Sequence, residues 1–547
     1  MATPRRERPA SLSTSRPAAS SRHCFLGKVR ADPWRQEGML IMSRWNAAAG
    51  GLGSLPPRQL CVALSLSMLI ASTLPFLAYV AFSPDGGAAG GLYRSWRWQD
   101  CAGQCGGDEA TGGGGRAPTT LSHIVFGIGA SARTWEQRRG YVELWWRPGQ
   151  TRGHVWLDEE PAGPWPEAAT SPPYRVSAEA SRFGDRAPAS RMARIVAESF
   201  LAVAAERANG TTAGDDDEVR WFVMGDDDTV FFPDNLVAAL RKYDHGEMYY
   251  VGAPSESVEQ DALHYYGTAF GGGGFAVSYP AAAALAGAID GCLDRYRSFH
   301  GSDERVHACL SELGVPLTHE PGFHQMDIRG DAYGMLAAHP VAPLVSLHHL
   351  GYIQPISPHG EGPLDAVRSL VGAAQFDPAR LLQQSICYHH GPGYTWSVSV
   401  AWGYTAQLYP WAVAPHELET PMQTFRTWRS SADGPFVFNT RPVTPDDDAC
   451  ARPAVFFLSD VRNATGGAAA ATVTEYARHA VRPEECDKPG FRAASAVHTV
   501  RVVAPKMSPS DWKRAPRRHC CEMEKTVRGS VLKVLIRRCG REEHSSP

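Results

Sequence analysis

The sequence has little net charge, no internal repeat and hardly any long apolar runs. Its 547 residues carry 54 lysines and arginines against 57 aspartates and glutamates, which gives a formal net charge of -3. This balance lacks the basic excess that nucleic-acid binding requires, so we expect no nucleic-acid partner. A hydrophobic fraction of 43% is ordinary for a globular protein, and the length suggests about two or three folded units.

One uncharged apolar segment is long enough to cross a bilayer. Residues 60–82, LCVALSLSMLIASTLPFLAYVAF, would span roughly 34 Å as a helix. The 59 residues before it carry ten basic and three acidic side chains, an excess that favours a cytoplasmic N-terminus. A cleaved signal peptide is the alternative, but its apolar region would be shorter and nearer the start. We therefore expect a low-complexity cytoplasmic tail at 1–59, a transmembrane signal anchor at 60–82 and a luminal remainder.

None of the cysteines has the spacing of a zinc site. Ten of the twelve follow the apolar segment, and no CxxC pair with matching histidines occurs among them. An even number in an oxidising lumen favours disulfides. We interpret the close pairs Cys101/Cys105 and Cys520/Cys521 as bridges rather than as metal ligands.

Composition and periodicity divide the luminal part into three regions. Residues 83–119 are rich in glycine and lack an apolar period, which is typical of a flexible stem. Segments after residue 365 are short, strand-like and separated by proline and cysteine, so we expect a β-rich, disulfide-bearing module at 365–547. Between these regions, at 120–364, alternating strand-like and helix-like segments predict an α/β domain with a mainly parallel sheet. Those segments are 123–129, 135–146, 154–157, 189–205, 220–224, 233–243, 281–296 and 303–313.

Three consecutive aspartates, Asp226, Asp227 and Asp228, follow the apolar strand RWFVM. Ligands of open α/β sheets collect beyond the carboxyl ends of strands, where charged side chains are available for function. Carboxylates suit Mn²⁺ or Mg²⁺, and such an ion stabilises a departing nucleoside diphosphate. An acidic turn or a helix cap would produce the same three residues. The triplet alone therefore leaves both interpretations open.

Other candidate residues lie farther along the chain. Four glycines, Gly271–Gly274, stand between aromatic and apolar residues, which indicates backbone in close contact with a ligand or another segment. Asp303 and Glu304 open a helix-like segment, where Asp303 can be a general base or simply a charge favoured by the helix dipole. His324 can be a metal ligand or an ordinary hydrogen-bonded histidine.

In their order and spacing these motifs resemble the fringe-like glycosyltransferases, which are inverting β-1,3-type enzymes of the nucleotide-diphosphate-sugar (GT-A-like) fold. The motifs are HIVFGIG, an Arg-Arg helix ending in tryptophan, DDDT, FGGGGF, SDER with a later cysteine, and FHQ. Longer segments, among them VRWFVMGDDDTVFFPDNLVAALRKYDH, HACLSELGVPLT and AAHPVAPLVSLHHL, are similar to plant fringe-related proteins, which carry a C-terminal domain of unknown function. The similarity covers about His123 to Cys539.

The resemblance implies a donor site built on the aspartate triplet. Asp226 and Asp227 would lie near the nucleotide, and Asp226 and Asp228 would be metal ligands, with Asp228 the most direct one. His324 would complete the metal site. The donor would also contact two glycines of the run, Gly272 and Gly273.

The same resemblance implies that Asp303 is the catalytic base. Ser302 stands where related enzymes often have an acid, and Glu304 follows where an aspartate is common. Glu304 is therefore an alternative base.

The function that follows is a type II Golgi membrane hexosyltransferase with a luminal catalytic domain. It would transfer a hexosyl unit from a UDP-sugar, with Mn²⁺ or Mg²⁺, to a glycan, glycoprotein or polysaccharide acceptor. The alternative is a non-catalytic luminal carbohydrate-binding scaffold, because a fold by itself does not determine function. A glycoside hydrolase would need two opposed carboxylates but no metal-binding triplet.

Overall fold

The computed structural model describes residues 117–209, 218–360, 362–443, 448–464, 470–479, 486–525 and 530–547. The predicted cytoplasmic tail, the anchor at 60–82, nearly all of the stem, and Cys101 and Cys105 lie outside these ranges. Within them, no helix is both long and apolar enough to span a membrane.

A seven-stranded sheet forms the first half of the described chain, with the order β3-β2-β1-β4-β7-β6-β8. Four of its six strand pairings are parallel, and β7 runs antiparallel to both of its neighbours. The predicted α/β domain with a mainly parallel sheet is thereby confirmed. Its strands are β1 (Ile124–Gly129), β2 (Arg152–Leu157), β3 (Tyr174–Val176), β4 (Trp221–Asp226), β6 (Tyr250–Gly252), β7 (Phe275–Ser278) and β8 (Leu317–His319).

Helices cover both faces of this sheet, and side chains of β1 and β4 alternate between two hydrophobic cores. Val125 and Phe222 enter the core beneath α2, α5 and α6, whereas Phe126 and Val223 enter the other core. Burial on both faces explains why these central strands are continuous apolar runs in the sequence. The helices are α1 (Trp135–Glu143), α2 (Ala187–Ala208), α3 (Pro233–Leu240), α4 (Val258–His264), α5 (Tyr279–Arg295), α6 (Ser302–Glu312), α7 (Tyr333–Ala337), α8 (Pro363–Ala374), α9 (Pro415–Leu418) and α10 (Pro489–Ser495).

An eight-stranded sheet forms the C-terminal part, with the order β11-β12-β13-β15-β16-β17-β19-β18. Only β17 and β19 pair in parallel. The expectation of a β-rich C-terminal region is confirmed. Its strands are β11 (Gln384–Gly391), β12 (Tyr394–Ala401), β13 (Thr405–Tyr409), β15 (Ala454–Asn463), β16 (Ala471–Arg478), β17 (Thr499–Pro505), β18 (Cys520–Lys525) and β19 (Val531–Arg537).

Two short ribbons connect distant parts of the chain. Strand β5 (Val230–Phe231) pairs with β10 (Ser346–Leu347), and β9 (Ile328–Gly330) pairs with β14 (Phe425–Thr427). All described residues belong to one compact unit. The boundary proposed between residues 364 and 365 stays a prediction.

Four disulfides are present among the described residues, so the interpretation of Cys520 and Cys521 as disulfide cysteines is confirmed. The two do not bridge each other, however, because neighbouring residues of a strand point to opposite faces of the sheet. Cys520 pairs with Cys539 and Cys521 pairs with Cys387. The other two bridges are Cys292–Cys309, which joins α5 to α6, and Cys450–Cys486.

Candidate functional site

The aspartate triplet begins at the carboxyl end of β4, in the middle of the seven-stranded sheet. Asp226 is the last residue of the strand and lies opposite Gly129 of β1. Its backbone N–H donates to the Thr229 hydroxyl at 2.8 Å, and that hydroxyl donates to the carbonyl of Gly272 at 2.7 Å. Thr229 therefore ties the triplet to the glycine run that the sequence singles out.

Asp226, Asp228 and His348 form a cluster that could hold a metal ion. One ligand atom from each of the three lies within 4.8 Å of the others. The His348 Nε2 atom is 3.1 Å from Asp228 Oδ1 and 3.8 Å from Asp226 Oδ2. Two carboxylates and one imidazole are donors that a divalent ion such as Mn²⁺ accepts. The donor chemistry of the cluster therefore fits the expected metal.

The backbone brings His348 to the triplet. It directly follows β10, whose Leu347 pairs antiparallel with Val230 of β5. Because β5 starts two residues after Asp228, this pairing puts His348 beside the end of the triplet. His348 is a site residue that none of the sequence motifs singled out. It follows the apolar segment VAPLVSL, just as the triplet follows the apolar strand RWFVM, and this position is the signal that could have indicated it.

His324, the predicted third ligand, has its imidazole in contact with two other side chains. Its Nδ1 atom is 3.1 Å from Glu256 Oε1, and its Nε2 atom is 3.0 Å from His339 Nε2. Glu256 also accepts a 2.7 Å hydrogen bond from the backbone N–H of Met326. Among the residues that the structure describes, the histidine clustered with Asp226 and Asp228 is His348, whereas the His324 imidazole contacts Glu256 and His339.

The pKa values of the three aspartates differ strongly from one another. Burial raises the pKa of Asp226 to about 7 and that of Asp227 to about 6, against the opposing charges of His348 and Arg138 respectively. Burial also acts to raise the pKa of Asp228, but the hydrogen bond and charge of His348 outweigh it and lower this pKa to about 2. In return, although burial acts to lower the pKa of His348, Asp228 raises it to about 9. Three crowded carboxylates of this kind favour a cation between them.

Arg138 of α1 is a second site residue that the sequence analysis did not identify. Its Nη1 atom lies 3.0 Å from Asp227 Oδ1 and 3.5 Å from Asp228 Oδ2. Its Nη2 atom donates to the Tyr352 hydroxyl at 3.3 Å. The side chain keeps 35% of its surface exposed, so the guanidinium can also reach an anionic ligand.

The glycine run packs tightly against His348 on one side and Asp303 on the other. A Cβ atom on Gly272 would lie 2.1 Å from the imidazole Cε1 of His348, and one on Gly271 would lie 2.6 Å from Asp303 Oδ1. The backbone N–H of Gly273 donates to Gln325 Oε1 at 2.6 Å. A side chain at Gly271 or Gly272 would therefore collide with another residue of the site, which explains why glycine stands at these positions. A role of Gly272 and Gly273 in donor binding stays a prediction.

Replacing Gly272 with alanine is expected to displace His348 and weaken metal binding at the candidate cluster. The overpacked side chain should lower the free energy of unfolding by about 1–3 kcal/mol and reduce Mn²⁺ affinity by about tenfold. Calorimetric titration with Mn²⁺ and a thermal melt measure the two effects. Gly287→Ala in α5 is the control, because its new Cβ would meet no atom within 4 Å. Equal Mn²⁺ affinity in both variants would contradict this packing argument.

Asp303 and Glu304 lie at the start of α6 and have different surroundings. Asp303 lines one pocket with Asp226, together with Gly127, Gly271 and Ser302. Burial raises its pKa to about 6, although the Ser302 hydroxyl donates to it at 3.2 Å. The Glu304 carboxylate instead contacts His264 and accepts the backbone N–H of His300 at 3.1 Å. Asp303 therefore faces the acidic pocket, whereas Glu304 caps the helix.

A C-terminal segment, residues 425–437, borders the site. The Trp428 ring stacks on His349 with ring centroids 4.5 Å apart, and His349 in turn lies against His348 at 3.8 Å. The backbone N–H groups of Arg429 and Ser430 donate to Glu259 of α4 at 2.6 and 3.1 Å. The C-terminal region thus helps to hold the histidine side of the site.

Comparison with known proteins gives two partial matches. A family model described as "Protein of unknown function, DUF604" matches residues 260–521. This span includes the glycine run, Asp303 and His348, and it continues into the C-terminal sheet. A human protein described as "Beta-1,3-glucosyltransferase" is 34% identical to this chain over 109 residues. Those residues are 20% of this chain and 21% of the human protein, so the chain spans about one fifth of that relative's length.

Proposed function

We propose that this chain is an inverting, metal-assisted glycosyltransferase that moves a hexosyl unit from a UDP-sugar to a glycan, glycoprotein or polysaccharide acceptor. The observation that carries the proposal is one pocket at the carboxyl ends of parallel strands, lined by Asp226 of the candidate metal cluster and by Asp303. The partial match to a β-1,3-glucosyltransferase supports the same reaction class. We extend the proposal to a GT-A-like fold of the plant fringe-related type and to a Golgi type II protein anchored by residues 60–82.

Asp226, Asp228 and His348 would hold the divalent ion. Bound there, Mn²⁺ or Mg²⁺ would act as a Lewis acid that stabilises negative charge on the departing diphosphate. Arg138 keeps Asp227 and Asp228 in place through its ion pairs and offers a partly exposed guanidinium beside them. A planar guanidinium is well suited to phosphate oxygens, so Arg138 would help to orient the diphosphate.

Asp303 would act as the general base. Its carboxylate accepts the proton of the acceptor hydroxyl while that oxygen forms the new bond to the sugar carbon, and the bond from that carbon to the diphosphate breaks. A base with a pKa near 6 is still mainly ionised at neutral pH and accepts a proton more readily than an ordinary aspartate. Glu304 is less suited, because the helix cap and His264 already occupy its carboxylate.

Donor turnover is the direct test of the proposal. The purified full-length chain is incubated with a panel of UDP-sugars and Mn²⁺, and release of UDP and its stimulation by glycan acceptors are measured. We expect turnover with at least one donor, and its loss in Asp228→Asn. Asp234→Asn is the matched control, since Asp234 forms an ion pair with Arg147 on the protein surface. If no donor is bound or turned over by the unmodified chain, the carbohydrate-binding scaffold becomes the better proposal.

The pH dependence of transfer provides a further prediction. Because burial raises the pKa of Asp303 to about 6, protonation below that pH should remove the base. We expect kcat/KM to be level above about pH 7 and to fall about tenfold per pH unit below about pH 6. The profile is measured at saturating Mn²⁺, so that metal loss does not imitate the effect. A flat profile between about pH 5 and 7 would argue against Asp303 as the base.

A further inference from the structure

A cleft lined by basic residues lies where the C-terminal region meets the segment after α3. We call it the basic cleft; one wall consists of residues 512–518, and the other includes Arg241, Lys242 and residues 341–343. Its larger cavity has a volume of about 600 Å³, which is within the range of ligand-binding pockets. It shares no lining residue with the pocket at Asp226 and Asp303.

Cations outnumber acids in this lining. The two acidic residues, Glu320 and Asp511, are already paired, the first with Lys242 and the second with Arg538 at 2.5 Å. The remaining lining therefore has an excess of positive charge. The basic residues of the cleft are Arg241, Lys242, Arg380, Lys513, Arg514, Arg517, Arg518 and Arg538.

Two of these cations are available to a ligand. Lys513 and Arg514 are exposed, and neither side chain has a hydrogen bond or ion pair among the residues that the structure describes. Others are held by the protein: Arg518 pairs with Glu419 at 2.8 Å, and Arg517 donates to main-chain carbonyls near the C-terminus. The cleft thus contains cations that the protein holds in place, Arg517 and Arg518, and two exposed cations, Lys513 and Arg514, that remain available to a ligand.

The loop that carries these charges is anchored at both ends. Trp512 is only 6% exposed and packs against Ala238 and Ala379. At the other end, Cys520 and Cys521 are in disulfides, and the Arg380 guanidinium lies 3.0 Å from His519 Nδ1. Little conformational freedom would be lost when a ligand binds such a loop, which favours affinity.

We propose that the basic cleft binds an acidic glycan through the carboxylate or sulfate groups on its sugars. Guanidinium and ammonium groups pair with both anions, and a cavity of about 600 Å³ has room for sugar units beside them. The choice of a glycan rests on the proposed function. The cations line a cavity between two segments of the chain. A membrane surface would contact a flat or protruding basic surface, whereas an oligosaccharide can enter a cavity, so we favour the oligosaccharide.

The test is a binding measurement on the purified full-length chain, with no donor sugar present. Calorimetric titrations use a galacturonate oligosaccharide, which carries carboxylates alone, a sulfated glucan oligosaccharide, which carries sulfates alone, and a neutral glucan oligosaccharide. We expect binding of at least one acidic oligosaccharide, weakening as salt rises, and none of the neutral one. The acidic compound that binds identifies carboxylate or sulfate as the recognised group.

A pair of matched variants locates the binding. Lys513→Glu combined with Arg514→Glu should weaken acidic glycan binding about tenfold or more. Lys488→Glu combined with Arg492→Glu, at α10, makes the same change in net charge and should alter affinity by less than about twofold. Equal weakening in both variants, equal binding of the neutral glucan, or phosphatidylserine vesicles bound in place of glycans would overturn the proposal. Because no catalysis is measured, a chain that turns over donor but fails these titrations overturns this inference alone.

Discussion

Asp303→Asn is expected to lower kcat for sugar transfer by about 1,000-fold, because the acceptor hydroxyl would lose its proton acceptor. Asparagine keeps the size of the side chain and can still contact the Ser302 hydroxyl that donates to Asp303. Removing a half-buried carboxylate whose pKa is raised to about 6 should leave the fold at least as stable. The loss would therefore be chemical, and it is measured as kcat at saturating donor, acceptor and Mn²⁺.

Glu304→Gln is the comparison that separates the two neighbouring acids. Glu304 accepts backbone N–H groups at the start of α6, so its replacement should cost about 1 kcal/mol of folding free energy. Its effect on kcat should be less than about tenfold. The reverse pattern, with a large loss in Glu304→Gln and a small one in Asp303→Asn, would identify Glu304 as the base.

The central strands were readable from the sequence because burial on both faces leaves a continuous apolar signature. HIVFGIG and RWFVM became β1 and β4, the strands at whose carboxyl ends the site begins. Helix ends were less certain. The helix expected at 189–205 runs from Ala187 to Ala208, and the one expected at 233–243 ends at Leu240. Apolar periodicity reports the buried face of a helix, whereas its ends depend on local capping.

The histidine of the candidate metal cluster was harder to identify from the sequence than these strands were. His348 reaches Asp228 across 120 residues of sequence, through the pairing of β5 with β10. Each of these strands has only two residues, too few for a periodic signal. The motif FHQ indicates His324 instead, through its resemblance to the fringe-like family. In the structure, that imidazole instead belongs to a buried network with Glu256 and His339.

The disulfide partners could not be predicted from the sequence either, although the sequence does indicate that Cys520 and Cys521 have separate partners. Adjacent cysteines on a strand face opposite sides, so Cys520 and Cys521 require different partners once β18 is recognised. Their actual partners, Cys539 and Cys387, depend on the pairing of β18 with β19 and on the contact of β11 with β18. Long-range topology of this kind is not encoded in any local pattern.

His348→Ala is expected to reduce both Mn²⁺ affinity and sugar transfer by about 100-fold, equivalent to about 3 kcal/mol. The variant removes one of three clustered donors and also frees Asp228 from the histidine that lowers its pKa to about 2. Titration with Mn²⁺ and transfer at saturating Mn²⁺ separate lost affinity from lost chemistry. His390→Ala, at an exposed position in β11, controls for loss of an imidazole in general.

His324→Ala provides the decisive contrast: it should destabilise the buried Glu256 network while Mn²⁺ affinity falls much less. If Mn²⁺ affinity instead collapses in His324→Ala and survives in His348→Ala, the metal is held by the histidine that the sequence motif indicated, and the cluster around His348 is structural.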